Sequence, residues 1–267
     1  MAITTMDGVV NGLASGKSAF TFCPSATNVA GGLVNLQRAV VTSFGQMAIP
    51  AANTAGGTSH VQTDTGFPNL GTPAATRYLA KVEMTGASAG AIHIYDRVWS
   101  CSGFSGTVTT AQAVTGFPTL TRPDSNGTGL EIWIECYTAT GATASNITVQ
   151  YTNQAGTSGR NTVSTAHIIS MPANRMYRVP LQSGDKDVRS VQSVTLSSTT
   201  GSAGNFGVTL MKRIATIPLT TANVPSVLDF ASLGLPAILN DTAINLIHQG
   251  TTTSSGIILG NMIFIEG

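Results

Sequence analysis

The residues in this chain whose types could do chemistry are four histidines, three cysteines and twelve carboxylates. A metal centre needs His, Cys, Asp or Glu at short, regular spacing. His60, His93, His167 and His248 are far apart, and none has a His or Cys neighbour at that spacing. They read as surface histidines, with His93 on the wet face of its strand beside Tyr95. Cys23, Cys101 and Cys136 are an odd number without CxxC spacing, which suits reduced, buried thiols better than a disulfide framework. Glu131 and Glu135 share a strand face, but four residues at ~3.3 Å put their backbones about 13 Å apart. A glycosidase pair wants about 5–9.5 Å, and spacing gives no support for pairing either with Glu83 across a sheet. No Gly-x-Ser-x-Gly elbow occurs. The run Gly12-Leu-Ala-Ser-Gly-Lys-Ser18 approaches a phosphate loop, but it is one residue short and no strand precedes it. Asp124-Ser-Asn-Gly127 lacks the glutamate of a calcium loop and reads as a tight turn, because Asn-Gly tolerates positive φ. The expectation is a non-enzymatic chain with no catalytic residue, no metal and no cofactor.

The elements that must position these residues are short strands. In Leu79–Met84, Ala80, Val82 and Met84 alternate with Lys81 and Glu83; in Glu131–Tyr137, Ile132, Ile134 and Cys136 alternate with Glu131, Trp133 and Glu135. Period-2 alternation predicts one buried and one wet face, as in antiparallel sheets. Lys81–Asp96, Ile134–Tyr151 and Val194–Leu210 share one plan: strand, small-residue link, strand. TGFPNL at Thr65–Leu70 and TGFPTL at Thr115–Leu120 echo each other ahead of the first two, which predicts a repeated supersecondary unit. Short helices are expected at Met6–Ala14, capped by Thr4 or Thr5, and at Ser226–Leu233, stopped by Gly234. Ala243–His248 and Ile257–Ile265 read as strands around GTTTSSG that could form a terminal hairpin, the last one an apolar edge that needs covering. The fold class is all-β: an antiparallel β-sandwich or jelly roll with one or two short helices in the flanks.

Charge then sorts the chain by region. Only 9% of the 267 residues are charged, 13 Lys+Arg and 12 Asp+Glu, against about 25% in ordinary soluble domains. A net charge of +1 with no basic run disfavours nucleic acid. No apolar stretch reaches the ~20 residues of a membrane helix. The opening MAITTMDGVV lacks the basic head and apolar region of a signal peptide. Residues 1–60 hold three charges and residues 214–267 hold three, while 61–213 hold the other 19. The expected organisation is a charge-poor attachment segment at 1–60, a central β-sandwich at 61–216, and a helix and hairpin segment at 217–267. Interface cores are depleted in charge, so both flanks are expected to lie against something. The candidate contact residues are Phe20, Phe22, Leu33, Leu36, Ile257, Ile258, Ile263 and Phe264, chosen for their apolar, charge-poor setting.

Several segments resemble a family of tailed-bacteriophage virion proteins: MAITTMDGVVNGLASGK, SATNVAGGLVNLQR at Ser25–Arg38, and RYLAKVEMTGASAGAIHIYDRVW at Arg77–Trp99. TVQYTNQAGTSGR at Thr148–Arg160 and VRSVQSVTLSSTTGSAGNFGVTL at Val188–Leu210 fit as well. The resemblance implies a structural protein made in the host bacterial cytoplasm and built into the virion, in the capsid. The expected role is a capsid decoration or cement protein, with the phage major capsid protein and itself, as a symmetric dimer or trimer, for partners. From the chain's charge and hydropathy, no nucleic-acid or membrane partner is expected. Major capsid proteins of tailed phages use a long spine helix, and no segment here has one. The alternative is a receptor- or glycan-binding module on a tail or fibre, which would need exposed aromatics beside polar groups and would be favoured by Trp133 and Tyr137 on one accessible face. An enzyme such as a polysaccharide hydrolase would need two acids converging in a cleft.

Overall fold

A computed structural model describes residues 3–168 and 170–267. The chain is mostly strand, arranged in antiparallel sheets. The principal elements are α1 (Met6–Ser15), β1 (Lys17–Cys23), β2 (Arg77–Gly86), β3 (Gly90–Ser100), β4 (Leu130–Thr138), β5 (Ser145–Asn153), β6 (Val188–Leu196), β7 (Asn205–Leu219), β8 (Ile244–Gly250) and β9 (Ile258–Glu266). They belong to two compact units. Unit 1 is Met1–Met47, Val61–Asp96 and Ile214–Gly267; unit 2 is Ala48–His60 and Arg97–Arg213. The units therefore cut across the expected segments 1–60, 61–216 and 217–267. Most of the two charge-poor flanks, Met1–Met47 and Ile214–Gly267, folds in one unit, where β1 pairs along its whole length with β9; Ala48–His60 belongs to the other.

In unit 1 one sheet runs β1–β9–β2 and continues to the short strand Ser226–Leu228. A second layer is built from β8, the unit 1 part of β3 and the short strand Leu33–Asn35. Val82, Met84, Met262 and Phe264 from the first meet Ile92, Ile94 and Leu246 from the second in a dry core. Strand β9 is thus an interior strand of its sheet, not the expected edge. It makes no hairpin with β8, which pairs with β3 in the other layer. Gly260 lets β9 close on β2: a Cβ there would lie 2.4 Å from the carbonyl oxygen of Glu83. Helix α1 starts as expected, with the Thr5 hydroxyl accepting from the Gly8 amide at 3.2 Å. Gly12 weakens the helix intrinsically but brings it onto β9, where a Cβ would sit 3.0 Å from Ile265 Cβ. The expected helix at Ser226–Leu233 is shorter. Ser226–Leu228 adds to β2, and only Phe230–Leu233 is helical, capped by Asp229 and ended by left-handed Gly234.

Unit 2 is a two-layer sandwich. One layer is the unit 2 part of β7, β4 and Arg175–Val179; the other is Thr165–Ile168, β5, β6 and Gln112–Ala113. Ile132, Ile134, Ile147, Val149, Val194, Phe206 and Val208 fill the space between. The shared strand–link–strand plan acquires a common geometry. The β4–β5 and β6–β7 links each carry the chain from one layer of unit 2 to the other, and β2–β3 does the same in unit 1. The TGFP echo is also structural. Gly66 and Gly116 both take positive φ, at 102° and 73°. Leu70 then enters the core of unit 1 and Leu120 that of unit 2.

One pattern departs from the expected wet face. Trp133, Glu135 and Tyr137 are buried along with Ile132, Ile134 and Cys136, so β4 is covered on both sides.

Gly260→Ala is expected to destabilise the protein by about 2–4 kcal/mol, because the β9–β2 ladder must open to admit the methyl. Urea unfolding followed by tryptophan fluorescence and circular dichroism measures it.

Candidate functional site

The sheet β1–β9–β2 has an outer face, opposite the core, whose composition follows from register. Three cross-strand rows lie on it: Ser18–Ile263–Lys81, then Phe20–Asn261–Glu83–Val227, then Phe22–Leu259–Thr85. Side chains alternate between faces, so each row residue points away from Ala19, Val82, Met84 and Met262 in the core. Helix α1 covers the neighbouring part of this face, placing Val9 and Leu13 on Ala80, Tyr78 and Ile265. The rest stands open. Phe20 and Phe22 are exposed, as are Leu259, Val227 and Ile257 at the end of the face. A shallow groove of about 330 Å³ runs between Phe20, Leu259, Pro225 and Thr85.

Of the expected contact residues, Phe20, Phe22, Ile257 and Ile263 come together here. Leu33 is half-buried on its own short strand. Leu36, Ile258 and Phe264 are corrections: all three are fully buried in the unit 1 core and present nothing to a partner. Alternation assigns Ile258 and Phe264 inward once Phe20 is outward; apolar character alone cannot separate the two faces. Val227 was missed because its segment reads as a helix.

The chemistry-bearing residues are tied into the fold. All three cysteines are buried and free of disulfides, and burial pushes each thiol up to about 12. Histidine is less superficial than expected. His60 is buried against Ser100 Oγ at 2.7 Å. His93 is half-buried with Thr216 Oγ1 at 3.0 Å, and Tyr95 beside it is buried. His248 is wholly buried, and neither ring nitrogen meets a hydrogen-bond partner among the described residues. The side chain of His167 lies outside the described residues. Lys17 of the loop-like motif opens β1 and donates to the Leu70 carbonyl at 2.7 Å. Asp124 closes its turn by accepting from the Asn126 and Thr128 amides. Among the described residues, no three His, Cys, Asp or Glu side chains group as metal ligands, and no helix is long and apolar enough to cross a membrane.

Two acids do line one cleft of about 280 Å³ in unit 2, Glu131 and Asp185. Glu131 is held by Arg178 Nη1 and Trp133 Nε1, both at 3.1 Å. Asp185 accepts from Arg160, Tyr151 and Asn153, and the Arg160 hydrogen bond leads in holding its pKa down to about 2. A carboxyl that acidic is ionised near neutrality and has no proton to donate.

Sequence reasoning also missed where the charges go. Arg38, Arg77, Asp96, Arg97, Arg122 and Glu135 are all buried. In unit 2, Arg97 and Glu135 form an ion pair with both side chains at 0% exposure. Tyr137 Oη and Thr209 Oγ1 each donate to the same Glu135 oxygen at 3.2 Å. No local signal marks these residues, because strand alternation places Glu135 on the face that would ordinarily be wet.

No protein-family model matches this chain, and no curated protein sequence does. Among solved structures it is similar to the VP2 subviral particle of infectious bursal disease virus over 94% of this chain and 80% of that one, at 10% identity and a TM-score of 0.19. The structure of the Gx strain of the same virus matches over 94% and 81%, at 9% identity and a TM-score of 0.20. Likeness at that level carries no argument about fold or function.

Two measurements follow from the buried groups. Glu135→Ala removes a buried ion-pair partner of Arg97 and is expected to cost about 3–5 kcal/mol in urea unfolding, most of it regained in Arg97→Met with Glu135→Leu. Burial, with His93 nearby, lowers the His248 pKa to about 4, whereas an unfolded histidine titrates near 6.5. The unfolded chain therefore binds the extra proton between these values, and stability falls as pH drops from about 6.5 toward 4. His248→Leu is expected to flatten that part of the unfolding midpoint against pH; an unchanged slope would sink the assignment.

Proposed function

We propose that this chain is a non-enzymatic structural protein of a bacteriophage virion, a capsid decoration or cement protein. It binds the lattice of the major capsid protein and associates with itself, and it works by buried surface. The observation that carries this reading is the character of the surface. Six of the 25 charges are inside the chain, and the rest are spread over 10622 Å². Met6, Val10, Phe20, Val41, Ile49 and Ile257 meanwhile stand about half exposed or more. Charge depletion with retained apolar side chains is the composition of surfaces that end up covered. Repetition of one modest contact around a symmetric shell multiplies its effect. The resemblance of five segments to tailed-phage virion proteins supports the same reading.

The alternative of a glycan-binding module calls for exposed aromatics beside polar groups; Trp133 and Tyr137 do not supply them, because both are buried. The test is quantitative mass spectrometry of purified particles, with rebinding of the purified chain to particles that lack it. Hundreds of copies per particle and saturable rebinding are expected. Absence from the particle, or a mere handful of copies, would falsify the decoration role.

A further inference from the structure

We propose that the open part of the β1–β9–β2 outer face is the contact between two copies of this chain, packed face to face about a twofold axis. The inference rests on reading the chain as a self-assembling structural protein, and it names the surface and the arrangement. Phe20 is 60% exposed, Val227 51%, Ile257 48%, Leu259 39% and Phe22 38%. Together they offer on the order of 400 Å² of apolar surface, the size at which a patch on a monomer is usually functional.

Extent, charge and shape point to a second copy. Three strands of some seven residues and the three-residue strand Ser226–Leu228, about 4.8 Å apart, give a footprint of roughly 340 Å². Two such faces bury on the order of 800 Å² once side-chain relief is counted, the size of a weak, concentration-dependent contact. The open rows carry one cation and one anion, Lys81 and Glu83, paired with each other at 2.8 Å. The face is therefore neutral, and an identical face meets it without like-charge conflict, whereas a strongly charged partner finds nothing to neutralise. Helix α1 occupies one end, so two copies fit only if the strands run antiparallel across the axis and each helix lies beyond the open end of the other copy. An axis between the Phe20 and Phe22 rows sets Phe20 of each copy against Phe22 of the other and Ile263 against Ile257. This is the reciprocal pairing of an isologous contact.

The test is solution mass by light scattering at about 100 µM. The wild-type chain is expected to run as a dimer. Phe20→Asp is expected to halve the mass with an unchanged melting curve, since that side chain is exposed. Val163→Asp, at a half-exposed apolar site in unit 2, keeps the dimer. A wild-type monomer, a trimer, or a dimer indifferent to Phe20→Asp overturns the proposal. Particle binding is scored separately. A wild-type monomer that still binds particles sinks this inference alone, and a chain absent from particles sinks only the virion reading. Loss of particle binding by Phe20→Asp with the dimer intact assigns the face to the capsid and overturns the proposal as well.

Discussion

The buried pair of Arg97 and Glu135 is the constraint around which unit 2 is organised. A charge taken out of water carries a penalty of several kcal/mol unless geometry and hydrogen bonds compensate it. Here the compensation comes from three directions: a guanidinium on β3, a phenol on β4 and a hydroxyl on β7. Those three groups converge only if the strands hold their register. Arg97 and Glu135 therefore make other alignments of β3, β4 and β7 unfavourable, and close packing of Ile134 and Val208 does the rest of the stabilising.

The same economy shapes the exterior. Other buried charges serve as internal fasteners. Arg77 binds Glu266 and the Leu70 carbonyl, Arg122 holds the carbonyls of His60 and Arg97, and Asp96 accepts from the Ala243 amide. Each fastener removes a charge from a surface that began with few. Solvation then falls to Thr, Ser, Asn and Gln, which hold a protein in water but repel neighbours weakly. A sheet face bearing Phe20, Phe22 and Leu259 in that setting has little electrostatic opposition to being covered.

Class of fold was legible in the sequence because it is written in local alternation. The runs at Leu79–Met84 and Glu131–Tyr137 are strands, Thr5 caps α1, and the two TGFP motifs really do turn at a left-handed glycine. Strand pairing was not legible. Nothing near Ile258 says that its neighbours are Cys23 and Gly86, and so a hairpin with β8 looked natural. Contact residues failed for a related reason. Phe20 and Phe264 are equally apolar, and only the register of β1 on β9 turns one outward and the other in. Glu135 misled in the opposite sense, since burial of a carboxylate is decided by partners 38 and 74 residues away.

The position of β9 between β1 and β2 sets a timetable for the growing chain. Ser18 and Asn261, bonded at 2.6 Å, are 243 positions apart. At about 5–20 residues per second, β1 waits roughly 12–50 s on the ribosome before its partner is made. Unit 2 is complete by Arg213, so it can settle while the phenylalanines of β1 are still without their neighbour strand. The protein closes from the middle of its sequence outward, and its most adhesive strand is the one that spends longest waiting.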